Sequence, residues 1–274
     1  MSYVAWGVML AAIDKQIPFI TVLKATFAYH IFGGYVLHSA GSIWNDIIDK
    51  DLDALVERTK NRPLPSGRIS VSATLLFLFP QVVLMAAMMY FYTNKVAFTL
   101  GMIGLFFWVP LYPFMKRITY WPQAWLGIAG NWGLLVAYAS LTGEINFNTA
   151  GVLFVGTWCW CMHYDTIYGM MDKKDDARVG IKSTALLFGS SARPILAAFA
   201  LGFLAALYLC GLNLGASNIY YSLAVGGSAL HLTWQLVTVD FDSNPSCFKM
   251  FTSNAKQLAY FVYFGLVSVY LSKS

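Results

Sequence analysis

The sequence predicts an all-α, polytopic transmembrane helical bundle, and three observations lead there. Of 274 residues, 58% are hydrophobic and only 11% are charged, whereas a soluble domain carries about 25% charged residues. The remaining charges are not scattered, since most of the thirteen acids fall within 46–57 or 165–176. Between them lie long apolar runs, several near the ~20 residues that cross a hydrocarbon layer. The net charge of +5 therefore bears on membrane topology and not on nucleic acid.

Taken in order, the first apolar run, 3–12, is too short to span and lacks the basic leading region of a signal peptide. It predicts the end of a helix whose beginning is missing. Full spans are predicted at 19–44, 73–92, 96–114, 124–141, 149–171, 194–212, 219–239 and 257–271. The expectation is eight full spans plus an N-terminal partial span, in a single domain over 1–274. In the first span Gly33-Gly34 and the small residues Ser39, Ala40, Gly41 and Ser42 allow close packing, and His30 and His38 are expected buried and satisfied. Pro63, Pro65 and Gly67 break the chain into a loop. Cys159, Cys161, Cys210 and Cys247 have no metal-site spacing and predict packing. Tyr112, Trp121 and Tyr164 are expected as interfacial anchors, and Asp240 and Asp242, near Asn244-Pro245, as loop residues.

The basic residues set a topology. Lys50, Arg58, Lys60, Arg62 and Arg68 follow the first full span, Lys116 and Arg117 the third, and Lys173, Lys174, Arg178, Lys182 and Arg193 the fifth. Lys249 and Lys256 follow the seventh, while the alternate loops hold little beyond Lys95. This alternation puts both acidic clusters on one side, the cytosolic side by the positive-inside rule.

The first cluster is Asn45-Asp46-Ile47-Ile48-Asp49-Lys50-Asp51-Leu52-Asp53. In a continuing helix Asp46, Asp49 and Asp53 fall at i, i+3 and i+7 and share a face. Three converging carboxylates repel unless a cation sits among them, and carboxylate oxygens suit Mg²⁺, which bridges to phosphate. The second cluster contains Asp165, Tyr168, Asp172 and Asp176, again at spacings that can share one helix face. Asp165 falls inside the predicted hydrophobic layer, where an ionisable group is functional by default. Each cluster is followed by a basic loop. Two such halves facing each other can hold a diphosphate through Mg²⁺, with basic side chains completing the cage.

Asn45-Asp46-x-x-Asp49-x-x-x-Asp53 and Asp165-x-x-Tyr168-x-x-x-Asp172-x-x-x-Asp176 resemble the two signature motifs of the UbiA superfamily of intramembrane prenyltransferases. Lys60-Asn61-Arg62-Pro63-Leu64, Tyr112-Pro113, Lys116-Arg117, Pro122-Gln123, Asn131-Trp132-Gly133 and Gly180-Ile181-Lys182-Ser183 look like its connecting signatures. The resemblance covers nearly the whole chain and is nearest to 4-hydroxybenzoate polyprenyltransferases and fungal meroterpenoid prenyltransferases. Two departures are the stub in place of the first of nine spans and Gly169 where the family usually has Ala.

The resemblance implies Mg²⁺-dependent transfer of a prenyl group, farnesyl or longer, from an allylic diphosphate to an aromatic acceptor. A phenolic acid or aromatic polyketide would be the acceptor in meroterpenoid biosynthesis, and 4-hydroxybenzoate in ubiquinone biosynthesis. It implies metal ligation by Asp46, Asp49, Asp53, Asp172 and Asp176. Asn45, Arg58, Arg62, Lys116 and Lys182 would bind the diphosphate, with Asp165 and Tyr168 completing the catalytic set and Trp132 a further aromatic face for the cation. An endoplasmic reticulum or Golgi membrane, or alternatively the mitochondrial inner membrane, is the implied location. The rivals are a transporter and a non-catalytic prenyl-diphosphate-binding homologue. Transporters usually keep intramembrane acids near the midplane, whereas these acids cluster at one boundary beside basic loops.

Overall fold

The computed structural model describes residues 2–273. Among them the chain forms ten helices and no strand: α1 (Ser2–Lys15), α2 (Phe19–Asp53), α3 (Val71–Tyr92), α4 (Lys95–Ile118), α5 (Pro122–Thr142), α6 (147–169), α7 (Lys173–Val179), α8 (Thr184–Asn213), α9 (218–238) and α10 (244–273). Their ends follow local chemistry. Ser70 and Asn94 cap α3 and α4, each accepting a backbone N–H three residues on, at 3.2 and 3.0 Å. Pro122 opens α5, and Gly143, at φ 79°, ends it in a left-handed turn.

Five helices, α2, α3, α4, α5 and α8, are long and apolar enough to cross a membrane by length and composition. The other three predicted spans form helices of more than 20 residues in α6, α9 and α10, but their polar side chains lower their hydropathy. Those side chains are spent on each other. His163 lies 3.1 Å from Gln235, whose amide donates to the Met250 carbonyl at 2.8 Å and to Ser253 at 2.7 Å. Trp160 donates to Asn254 at 2.8 Å. Helices with such faces hold one another by hydrogen bonds that lipid cannot supply.

α1 has the short length expected of a partial span, and its packing is what the sequence does not show. It is a short helix of 14 residues, but it is packed on every side, with Trp6, Val8, Met9, Leu10, Ala11 and Ala12 fully buried. A helix apolar all round belongs in a core. Trp6 stacks on Trp160 at 5.3 Å and donates to the Ala259 carbonyl. At its far end Asp14 accepts from Tyr138 at 2.6 Å, Thr149 at 3.1 Å and Asn146 at 3.2 Å, which ties α1 to α5 and α6. The histidine expectation fails: His30 and His38 lie on an exposed face of α2, because α2 packs only lightly on the bundle. Cys161, Cys210 and Cys247 are buried and Cys159 half-buried, all four free. Asp240 accepts from the Asp242 N–H in a surface turn, as expected of loop residues.

At 35 residues α2 is about 52 Å long at 1.5 Å per residue, against a hydrocarbon layer of about 30 Å. Its last turns must therefore leave the layer, and they carry Asp46, Asp49 and Asp53.

The α1–α5 contact has no slack. A Cβ on Gly7 would lie 2.3 Å from the Leu134 carbonyl oxygen, whereas one on Gly33 would meet nothing within 4 Å. Gly7→Ala is expected to destabilise the protein by about 1–3 kcal/mol through overpacking, and Gly33→Ala to be neutral or slightly stabilising. Thermal unfolding of both variants in detergent checks this.

Candidate active site

The first acidic cluster forms as its spacing predicts. Arg62, on the loop after α2, donates through one nitrogen to Asp46 at 2.8 Å and Asp53 at 3.0 Å, which requires both carboxylates on one face. Asp49, between them, is 1% exposed. It accepts from Lys116 at 2.7 Å and Arg117 at 3.0 Å, at the end of α4. Arg117 also donates to the Ile48 carbonyl at 2.8 Å, locking α4 to the last turns of α2. Lys116 is expected at the diphosphate by resemblance, and Arg117 is not among the expected ligands. Adjacent charges on one helix turn gave no signal that both reach the same carboxylate.

The second cluster is not one continuous helix face. α6 ends at Gly169, residues 170–172 form a turn, and α7 begins at Lys173. Asp172 accepts the Asp176 N–H at 2.8 Å, opening α7. Glycine weakens a helix interior, and the turn re-aims Asp172 towards the first cluster. Arg58 grips Asp172 with a two-toothed fork at 2.9 and 2.6 Å, and its guanidinium lies 5.4 Å over the Tyr168 ring. Asp172 thereby holds Arg58 protonated above its already high range. The Glu57 N–H donates to Asp175, and Arg178 to the Leu55 carbonyl. These contacts stitch the loop after α2 to α7 across one mouth.

Lys116 stands where the two clusters meet. It is bonded to Asp49 and close enough to act electrostatically on Asp53, Asp165 and Asp176. Asp176 is buried and has no ion-pair partner among the described residues. Burial, and then the negative Asp172, push its carboxyl up to about 7. Asp165 is half-buried on α6, also without a hydrogen bond or ion pair to any described residue.

Lys182 goes elsewhere. Its ammonium donates to the Ile118 carbonyl at 3.2 Å and lies 5.9 Å over Tyr120. Trp132 packs on α4, its indole N–H donating to the Leu100 carbonyl at 2.7 Å. Tyr164 is no interfacial anchor. Its hydroxyl is 2.7 Å from that of Tyr3, and its ring packs against Trp160 and Phe251. Tyr112 lies beneath Lys116 at 5.7 Å, while Trp121 is exposed beside Phe188, as an anchor would be. Asn45 Oδ1 and both amide atoms of Asn131 are buried without a partner among the described residues.

Among the described residues no three acidic, histidine or cysteine groups converge closely enough to hold a metal ion by themselves. Arginine and lysine groups occupy most of the carboxylates instead. The donor chemistry nonetheless fits a hard divalent cation. It is all oxygen, it comes from both sides of one mouth, and Asp176 carries a raised carboxyl that a cation would relieve. An ion entering with phosphate oxygens needs only one or two carboxylates from the protein.

The chain matches the model of the UbiA prenyltransferase family over residues 1–264. It is 44% identical over 269 residues to the UbiA prenyltransferase claS of Ampulloclitocybe clavipes, covering 97% of this chain and 84% of that protein. It is 39% identical to the mitochondrial 4-hydroxybenzoate polyprenyltransferase of Dictyostelium discoideum, covering 96% of this chain and 56% of that enzyme's length. The fold is similar to the apo structure of a UbiA homolog from Aeropyrum pernix K1, with a TM-score of 0.73 and 21% identity over 97% of this chain and 96% of that one. These likenesses, on an all-helical bundle whose two acidic clusters share one mouth, make this multi-pass membrane protein a member of the UbiA prenyltransferase family and a transferase of prenyl groups.

Proposed function

We propose that the protein transfers a farnesyl-length prenyl group from its diphosphate to a phenolic acid or aromatic polyketide, in meroterpenoid biosynthesis. We also read residues 1–274 as one prenyltransferase domain, α6, α9 and α10 as spans, and the acidic mouth as cytosolic. The single observation that carries the site assignment is the convergence of both acidic clusters and their cations at one mouth, joined by the Arg58–Asp172 fork. The acceptor class draws support from the likeness to claS, a fungal UbiA prenyltransferase. An endoplasmic reticulum or Golgi membrane goes with that class.

Asp46, Asp49, Asp53, Asp172 and Asp176 would hold Mg²⁺, which when bound would neutralise charge on the departing diphosphate. Arg58, Arg62 and Lys116 would turn from carboxylate to phosphate as the diphosphate enters, keeping the mouth near charge balance. Arg117 would keep its grip on the Ile48 carbonyl and hold the end of α2 in place. Loss of diphosphate breaks an allylic C–O bond and leaves a cation that water would quench. The loop after α2 and α7 meet across this mouth, and their closing over bound substrate would exclude that water. Tyr168, already beneath a guanidinium, presents a face suited to a cation. The electron-rich ring then forms the new C–C bond and passes its proton to the departing diphosphate. Asp165, a carboxylate without a protein partner, would orient the acceptor.

The second reading, 4-hydroxybenzoate polyprenyl transfer for ubiquinone, is favoured by the likeness to the Dictyostelium enzyme. Purified protein with farnesyl diphosphate, Mg²⁺ and a panel of phenolic acids, read by product mass spectrometry, separates them. A farnesylated polyketide-type acid supports the first reading. Product only from 4-hydroxybenzoate and a longer diphosphate would sink it. Asp49→Ala and Asp172→Ala are each expected to reduce Mg²⁺-dependent transfer at least a hundredfold, as is chelation of the metal, and undiminished transfer in either variant would remove the metal role. Replacing both Lys116 and Arg117 by Gln strands Asp49 in the interior. That double variant should lose on the order of 3–5 kcal/mol of stability, more than either single change, as read by thermal unfolding.

A further inference from the structure

A groove of about 430 Å³ runs between α9 and α10 and shares no lining residue with the acidic mouth. Its walls are apolar where Leu230 and Phe261 line it and polar at Ser222, His231, Trp234 and Gln257. Both helices contain a wide turn, at Tyr221–Gly227 and Asn254–Leu258. Such a turn takes an extra residue, so Lys249 and Gln257, eight apart, come over one face of α10. His231 is 6% exposed, with Nε2 held 3.2 Å from Ser253 Oγ on α10, so this wall is rigid.

The polar groups lining the groove are not all spent on the protein. The side chains of Ser222 and Gln257 and the indole N–H of Trp234 make no hydrogen bond to any described residue, and Ser222 and Gln257 are exposed. Lys249 lies 5.8 Å over the Trp234 ring, and Lys249 and Lys256 are exposed with no carboxylate in ion-pair range. Positive-inside topology accounts for the sign of these lysines. It does not account for an amide and an indole N–H left unpaired beside them in a concave site, where lipid offers no partner. Along α9, Trp234 and Ser222 are twelve residues apart, or roughly 18 Å. The groove thus has a cationic, hydrogen-bonding head near the ends of α9 and α10 and an apolar body about as long as one acyl chain.

We propose that this groove binds one anionic phospholipid. Lys249 and the Trp234 indole hold its phosphate, Lys256 adds charge, and one acyl chain lies along Leu230 and Phe261. The proposal rests on the membrane-spanning reading of α9 and α10 but not on the reaction. The bound lipid would brace the pair that docks on α6 through His163, Gln235 and Ser253.

The test is native mass spectrometry of the whole protein released from nanodiscs of phosphatidylcholine with or without phosphatidylglycerol, together with thermal unfolding in each. The wild type is expected to retain one phosphatidylglycerol and to melt higher in its presence. Lys249→Gln with Lys256→Gln should weaken retention at least tenfold, while Lys173→Gln with Lys174→Gln, the same charge change elsewhere, should not. Leu230→Trp, which fills the groove and keeps both lysines, should also lose the lipid, so a folding failure of the double variant leaves the matter decidable. Equal retention in all variants, equal melting in both nanodiscs, or displacement of the lipid by farnesyl diphosphate at equimolar concentration would each overturn the proposal. None of these outcomes depends on transfer, so the site and the proposed reaction stand or fall separately.

Discussion

A carboxylate that is 1% exposed cannot stay charged in a bundle of apolar helices without partners, and Asp49 has two. Its bonds to Lys116 and Arg117 join the end of α2 to the end of α4. Burying an ion costs several kcal/mol, recovered only when geometry and further hydrogen bonds are good. Arg117 supplies the latter through the Ile48 carbonyl. With α2 fixed, Asp46 and Asp53 project to one side and Arg62 bridges them. Arg58 on the same loop then reaches Asp172. The arrangement of the mouth follows from that one buried charge being satisfied.

The cations here occupy carboxylates that a metal–diphosphate pair would need. When phosphate arrives with a divalent ion, the same groups have a new anion to follow. Flexible Lys and forked Arg side chains, at the end of α4 and on the loop after α2, can make that exchange, whereas backbone donors cannot. Among the described residues no three acids converge on their own, since without cations between them their convergence would be repulsive.

Much of this was legible in the sequence, for reasons that differ by residue. Asp46, Asp49 and Asp53 follow helical periodicity inside one long helix, so their shared face was readable. Eight long helices were readable from length and hydropathy, five of them long and apolar enough to cross a membrane, although α6, α9 and α10 carry polar groups that only the partner helices explain. Asp172 was misjudged because a helix pattern cannot show a three-residue turn whose effect is to re-aim one side chain. The contacts of Arg117 and Lys182 both escaped the sequence for a common reason. Which carboxylate a long basic side chain reaches depends on loop paths, and 180–183 pairs with the end of α4, its Lys182 N–H donating to the Lys116 carbonyl at 2.9 Å. Tyr164 was misread because the packing of α1 is not visible in the sequence. A tyrosine near a predicted helix end looks interfacial until a buried helix supplies Tyr3 as its partner.

The two ends of the bundle solve the same electrostatic problem in opposite ways, and the contrast bears on where chemistry can occur. At the far end Asp14 is held by three neutral donors, Tyr138, Asn146 and Thr149, on helices or their tight junction. Neutral donors fixed to rigid elements have nothing to exchange, so that carboxylate is a clamp. At the mouth the acids are held by Arg58, Arg62 and Lys116, whose charged tips can move several ångströms without moving the backbone. An anion entering there finds cations that can be recruited, and a cation finds carboxylates that can be released. One end therefore sets the register of α1, α5 and α6, and the other is left free to change partners. A bundle with mobile charge at both ends would not hold its helices in place, and one with clamps at both ends could not admit a diphosphate.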